Sequence, residues 1–202
     1  MNLKKILAPY RNKEIITLWT VHPYLFWQLL QKQGEIKADG RRSWILKNDP
    51  SARRAYQWMN EQMKIKIPSY RAGYPLWAYF FKPDLRQRAY EPTGTHAVRI
   101  EFRIPAEKVI LSDYESWHAP LNNWYLWLTG KEYKWWEKRE TELTQLKLFH
   151  RLQKEKEQSW SRIFDLETVG KAKSWGPIDI IQATFEKLTL DQVVKVDEFI
   201  AR

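Results

Sequence analysis

The 202-residue chain contains no cysteine and only seven glycines. Without cysteine there is no disulfide framework, no thiolate-held zinc and no cysteine nucleophile. With so few glycines, neither GxGxxG nor GxxxxGK occurs, which excludes the phosphate-cradling loops of Rossmann and Walker sites. A GxSxG nucleophile elbow is missing as well. No run approaches the ~20 apolar residues of a membrane span, and no signal-peptide core is recognisable. The expected partner is therefore not a membrane, and the expected address is the cytosol. The four histidines, His22, His96, His118 and His150, lie far apart with no paired spacing, so no metal centre is expected.

Aromatic residues are abundant. Twelve Trp, ten Tyr and eight Phe make up 15% of the chain. Such rings build a core, and where exposed they serve as stacking platforms for a base, a nicotinamide or a peptide. The net charge is +10 and unevenly spread. Residues 1–103 hold 19 Lys and Arg against 8 Asp and Glu, whereas residues 104–202 hold 15 against 16. The asymmetry favours an anionic macromolecular partner, nucleic acid or protein, on the N-terminal half. At this length one domain spanning 1–202 is expected, burying about 70% of its unfolded surface.

The organising stretch is Ile15 to His22, which reads as a buried strand, followed by an amphipathic helix over 23–33 that Gly34 stops. Residues 1–13 form a basic arm. Residues 35–42 read as a loop, after which Asp49 and Pro50 open a helix with Ala55, Trp58, Met59 and Met63 inward. Strands follow at 76–81, 97–104 and 108–111, with an exposed basic loop at 85–95. A long charged helix spans 131–159, with Trp135, Trp136, Leu143, Leu146 and Phe149 inward. The chain closes with a strand over 178–187 and a helix over 190–200 opened by the capping box Thr189–Gln192. The sum is an α+β fold with a twisted, partly antiparallel sheet.

Two constellations could carry chemistry. Asp113, Glu115, His118 and Asn122 sit on a turn followed by a helix, either as a carboxylate-oriented imidazole or as a hydrogen-bonded corner. Gln182, Thr184 and Glu186 share one strand face by alternation, facing solvent or lining a cleft. The expected pairing sets this row beside the Thr20 and His22 end of the first strand.

The segments WTVHP, LLQKQG, AYQWMNEQM, PLWAY, VILSDYESWHAPLN, IFDL and IQATFEKL resemble a bacterial family of uncharacterised proteins, catalogued as a domain of unknown function. More distantly, the strand–helix opening, VRIEFRIPAEKVILSD and IQATFEKLTLDQVVKV resemble the ADP-ribosyltransferase superfamily, which includes DNA-base-modifying enzymes and RNA 2′-phosphotransferases. That resemblance implies a split sheet that binds NAD in a cleft between two small sheets. It also implies a glutamate that holds the nicotinamide ribose and stabilises the oxocarbenium-like transition state. On this chain Thr20 falls where the superfamily has His or Arg, and Tyr79 or Trp77 takes the aromatic place. The glutamate position falls on Thr184 in one alignment and on Glu186 in another. Thr20, Thr184 and Glu186 are thus the implied catalytic set. Thr20, His22, Trp77, Tyr79 and Gln182 would hold the dinucleotide, and Arg41, Arg42, Arg86 and Arg88 would meet phosphate or the partner. The resemblance implies a possible NAD-dependent ADP-ribosyltransferase; a non-enzymatic module that binds nucleic acid or protein through aromatics and arginines is the alternative.

Overall fold

The computed structural model describes residues 3–40, 43–71, 73–88, 90–172 and 174–202. The first elements are α1 (Leu3–Ile6), α2 (Ala8–Arg11), β1 (Ile15–Pro23), α3 (Tyr24–Gln33), β2 (Glu35–Lys37), α4 (Trp44–Asn48) and α5 (Pro50–Lys66). Next come β3 (Leu76–Tyr79), β4 (His96–Pro105), β5 (Val109–Asp113), α6 (His118–Leu121), α7 (Gly130–Gln145), α8 (Phe149–Trp160) and α9 (Leu166–Lys171). The chain ends with β6 (Ile181–Phe185), β7 (Lys187–Thr189) and β8 (Val193–Ile200). The expected α+β class is what forms. Two compact units result: a sheet unit of Met1–Gly40, Asn60–Leu111 and Ile181–Arg202, and a helical unit of Arg41–Met59 and Ser112–Ile180.

In the sheet unit six strands stand in the order β5-β6-β3-β1-β4-β8, and β2 pairs with β7 in a separate two-stranded sheet. The pairs β1/β3, β1/β4, β3/β6 and β4/β8 are antiparallel. Alternation decides the faces. Ile16 and Leu18 of β1, and Val98, Ile100, Phe102 and Ile104 of β4, are buried, whereas Arg99, Glu101 and Arg103 reach the wetter face. The helix α3 packs against β1 and β4. It ends where Gly34 takes the left-handed conformation, φ 75°, and returns its amide to the Leu30 carbonyl. Gly40 has a different reason to be glycine: a Cβ there would lie 2.2 Å from the Tyr74 ring.

Four expectations are corrected here. Residues 35–37 are strand β2, because Glu35, Ile36 and Lys37 pair with Thr189, Leu188 and Lys187. The strand expected over 178–187 stops at Phe185, and after a bend at Glu186 the chain leaves for the two-stranded sheet. The row at 182–186 is not beside β1 either, since β3 lies between β1 and β6. Residues 193–200 form a strand, not a helix. The Thr189–Gln192 capping box exists, but it closes a single 3-10 turn. The β-branched run that follows then pairs along β4, Val98 facing Glu198 and Ile100 facing Val196.

The helical unit corrects the long helix. Lys147, at φ 58°, breaks it into α7 and α8, so that the second half folds back on the first. Arg139 grips Glu155 through Nε (3.1 Å) and Nη2 (2.8 Å), and Lys156 meets Glu140 at 2.8 Å, so the charges expected to be solvated bridge the hairpin. The buried stripe of α7 is Trp136 and Leu143, seven residues apart; Trp135, Leu146 and Phe149 are exposed. Trp135 stands one residue, roughly 100° of helix, off that stripe.

Residues 124–128 have no regular structure, and side chains meet their backbone groups. The indoles of Trp160 and Trp175 donate to the carbonyls of Trp124 and Trp127, each at 2.6 Å. The Ser159 hydroxyl accepts from the Leu126 amide at 2.8 Å, Arg162 donates to the Leu126 carbonyl at 2.8 Å, and Glu132 accepts from the Leu128 amide at 2.8 Å. Buried backbone polar groups require partners, and here tryptophan supplies a large share of them. Among the described residues, no helix is long and apolar enough to cross a membrane.

Candidate functional site

Strand register sorts the sequence-derived residues of the sheet unit onto opposite faces. Trp19 faces Tyr79, and Tyr79 faces Gln182, so the three stand in one row across β1, β3 and β6. Two strand spacings of ~4.8 Å make that row about 10 Å long. Trp77, two residues before Tyr79, shares the face. Trp77, Tyr79 and Trp19 are half-buried and Gln182 is buried. Tyr90 packs edge-on against Tyr79 at 5.7 Å. On β4, Glu101 extends the row beyond Trp19, whose indole donates to its carboxylate at 3.1 Å.

Thr20 and His22 lie on the opposite face, the one α3 covers. Thr20 is 2% exposed. Its hydroxyl donates to the Trp77 carbonyl at 3.0 Å and lies 2.8 Å from His22 Nε2. A hydroxyl has one proton, so the imidazole carries its own on Nε2 and donates to Thr20 Oγ1. Burial pushes the His22 pKa down to about 4, and the neutral ring stacks on Phe26 at 3.8 Å. Both polar groups are thus engaged within the packing between β1 and α3, away from Tyr79.

Thr184 is fully buried, its hydroxyl donating to the Ile110 carbonyl at 3.4 Å. Glu186, at the bend between the two sheets, keeps 16% of its side chain exposed. It accepts from the Arg71 amide at 3.3 Å and lies 3.5 Å from Lys37 Nζ. Glu186 also lines a cleft of about 350 Å³ together with Ile104, Lys108, Lys187, Asp191 and Gln192. Ile104 belongs to the buried face of β4, so this cleft and the Trp19–Tyr79–Gln182 row are separate places.

Of the four arginines read as phosphate ligands, Arg41 and Arg42 lie outside the described residues. Arg86 is clamped on Asp84, through Nε at 2.9 Å and Nη2 at 2.6 Å, and its hydrogen bonds hold the Asp84 carboxyl down at about 2. Arg88 is exposed. Arg99, on the face of the aromatic row, is held by Asp197 at 2.6 Å and by the Pro83 carbonyl. Arg103 is exposed on that same face, two residues beyond Glu101.

In the helical unit, the Asp113 group forms a hydrogen-bonded corner. Asp113 Oδ2 accepts from the amide (2.8 Å) and hydroxyl (2.6 Å) of Ser116, and burial raises the carboxyl's pKa against those bonds. His118 Nδ1 lies 3.1 Å from the Glu115 carbonyl, and Asn122 donates to the His118 carbonyl at 2.8 Å. Asp113 therefore orients Ser116, not the imidazole. Among the described residues, no three His, Asp or Glu side chains are grouped as metal ligands.

Sequence reasoning missed Trp19 and Glu101. Alternation within one strand groups Trp19 with Val21, but only the register across β1, β3 and β6 decides which group meets Tyr79. It also missed the cleft between α7 and α8, because Arg139 and Arg151 read as ordinary solvated helix charges and Arg162, in the turn after α8, carried no signal of its own. That cleft, about 580 Å³, is lined by those three arginines together with Tyr125 and Trp135.

No curated protein and no solved structure matches the chain. One protein family does, described as a domain of unknown function, and its match runs over residues 17–194, from within β1 into β8. The chain belongs to that family, DUF3841.

Proposed function

We propose that the sheet unit is an ADP-ribosyltransferase-like domain that binds NAD or a related nucleotide on the face of its six-stranded sheet that carries Trp19, Trp77 and Tyr79. One observation carries the reading: β1, β3 and β6, the strands to which the resemblance gives functional residues, are neighbours, and Trp19, Tyr79 and Gln182 align across them. The rings of Tyr79 and Trp77 would stack on nicotinamide, and the Gln182 amide would bond its carboxamide. Arg103 and Arg88 are the cations available to the pyrophosphate, each of its phosphates being an anion that a guanidinium fork suits. Transfer of ADP-ribose to a nucleic-acid or protein target would need a carboxylate at the ribosyl cation, the role the resemblance gives Glu186, and would require the ribose to reach from the aromatic row to the Glu186 cleft.

A second reading, binding without transfer, is favoured by the company of that carboxylate. Lys37 at 3.5 Å and the Arg71 amide at 3.3 Å already neutralise part of its charge, and it stands apart from the aromatic row. Calorimetry with NAD tests the binding common to both readings. Binding at micromolar to submillimolar NAD, weakened at least about tenfold by Tyr79→Ala, is expected from the loss of a stacking ring. No heat at millimolar NAD overturns the proposal. Nicotinamide release then separates the readings: release that Glu186→Gln abolishes supports transfer, and binding without release supports the second.

A further inference from the structure

The α7–α8 cleft gathers three guanidinium groups around two aromatic rings, and nothing in the sheet-unit reading uses it. Two of the arginines keep donors for a ligand. Arg151 is 61% exposed and engages Glu155 through Nε alone among the described residues, leaving its two terminal nitrogens available. Arg139 is fixed by Glu155 in a two-pronged bridge, and its remaining nitrogen, Nη1, meets Glu142 alone among the described residues, at 2.9 Å. Glu142 is 55% exposed, and exposed pairs at i,i+3 spacing are weak. A doubly charged phosphate can displace such a rim carboxylate, because it presents more charge and more acceptors to the same guanidinium. Glu155, whose carboxyl is held down chiefly by its hydrogen bond from Arg139, stays as the scaffold that orients both arginines.

The apolar wall supplies the other half of a ligand site. Trp135 is 51% exposed, against 3% for its neighbour Trp136, and stands edge-on to Tyr125 at 6.0 Å. Tyr125 is itself stacked on Trp136 at 4.2 Å and lies under the Arg162 guanidinium at 5.5 Å, so the wall is rigid. An indole with an open face beside two available guanidinium edges matches a planar ring joined to a phosphate. The cleft's 580 Å³ lies within the ~300–1,000 Å³ typical of small-molecule sites.

We propose that this cleft binds a nucleoside phosphate, its base stacked on Trp135 and its phosphate held by Arg139 and Arg151 in place of Glu142. The source is either a free nucleotide or an unpaired nucleotide of a single strand. Calorimetry on the full chain, with AMP, adenosine, inorganic phosphate and an eight-nucleotide single strand as probes, tests it. AMP is expected to bind more tightly than adenosine or phosphate alone. Trp135→Ala should weaken it at least about fivefold, the low end of a stacking contribution of ~1–3 kcal/mol. Arg151→Gln should weaken AMP at least about tenfold, and Glu142→Gln should tighten it. Lys134→Gln removes an exposed charge from α7 and should leave binding unchanged. A strand that binds far more tightly than AMP and responds to the same variants identifies nucleic acid as the source; AMP binding without strand binding identifies the free nucleotide. No AMP binding at millimolar concentration overturns the proposal, as does phosphate binding as well as AMP or indifference to both Trp135→Ala and Arg151→Gln.

Discussion

The two units satisfy their backbones by different means, and the difference governs which side chains remain free for ligands. In the sheet unit β4 pairs along nearly its whole length on both sides, with β1 and with β8, so main-chain groups satisfy one another. In the helical unit the 124–128 segment has no ladder, and indoles, Ser159, Arg162 and Glu132 stand in for one. Tryptophan follows the same division: only Trp19, Trp27 and Trp77 belong to the sheet unit, and the other nine to the helical unit. On the face of the aromatic row the polar side chains mostly meet other side chains, Glu101 accepting from Trp19 and Arg99 donating to Asp197, so the strands themselves do not depend on them. In the helical unit most are already committed, which makes the loosely held Arg139 Nη1 and Arg151 the exceptions.

The largest effect expected from this contrast is at Trp160. The residue is fully buried, so Trp160→Ala removes a large packed ring and the donor to the Trp124 carbonyl. A loss of ~3–5 kcal/mol follows from the cavity alone. Trp160→Phe keeps a ring but loses the donor and part of the packed volume; because Trp124 is 48% exposed, its carbonyl can find water, and the lost hydrogen bond should add about 1 kcal/mol to the packing loss. The matched change in the sheet unit, Phe102→Leu, removes packing without orphaning any polar group. Urea denaturation followed by intrinsic fluorescence should rank Trp160→Ala, then Trp160→Phe, then Phe102→Leu. If Phe102→Leu costs as much as Trp160→Phe, the indole donors add nothing and the contrast fails.

Acid should strike the sheet unit through His22. Its pKa falls from 6.5 to about 4 on folding, because burial disfavours the charged ring. The unfolded chain therefore binds the proton first as pH drops. His22 contributes nothing to the pH dependence above pH 6.5, and stability is progressively lost between pH 6.5 and 4. The full shift corresponds to at most ~3 kcal/mol, less in practice because the residue keeps part of its surface in water. His22→Gln retains a donor toward Thr20 without titrating, and should flatten the stability profile over that window. An unchanged slope in the variant assigns the acid sensitivity elsewhere.

A smaller effect is expected at Ser159, whose hydroxyl accepts the buried Leu126 amide. Ser159→Ala strands that amide and should cost ~1–3 kcal/mol. Hydrogen exchange at Leu126 reads it directly: protection there should fall in the variant while the β4 amides stay protected. Equal loss at both places would mean that the effect is global and not local to the segment.

The same contrast explains what was legible in the sequence. β1, α3 and the Gly34 stop were readable because period, cap and left-handed glycine are local properties of contiguous residues. The alternation of Val98 to Ile104 likewise declared its wet face in advance. Residues 193–200 were misread because the capping box at Thr189–Gln192 is a true local signal for one turn, whereas the strand after it is decided by β4 a hundred residues away. The expected pairing of Thr20 with the 182–186 row was lost for the same reason. Thr20 and Tyr79 were rightly assigned to strands, but whether they share a face depends on Trp19 standing opposite Tyr79, a pairing encoded in neither strand alone. The helical unit hid its arginines differently: alternating charge looks alike whether it faces water or bridges α7 to α8.

The smallest effect tests the idea that the sheet unit's ladder makes its surface side chains dispensable. Lys195 on β8 meets Asp197 at 2.8 Å and, with Arg99, holds that carboxyl below its ordinary pKa. It is 57% exposed, and among the described residues its side chain holds no backbone group. Exposed pairs at this level contribute little once screening and side-chain entropy are included, so Lys195→Ala should change stability at neutral pH by less than ~0.5 kcal/mol. What should move is the acid limb. With its larger partner gone, Asp197 retains Arg99 alone, its pKa rises toward 3.8, and it protonates at higher pH as acid is added. Stability supplied by a depressed carboxylate is present above the unfolded pKa and lost as pH falls through the folded one. The variant's small deficit should therefore be fully present at pH 7, shrink through the range in which Asp197 protonates, and vanish below it, so that the variant loses less stability on acidification than the parent. A neutral-pH loss as large as that of Ser159→Ala would show that β8 depends on its side chains, and that the edge of the sheet behaves like the helical unit.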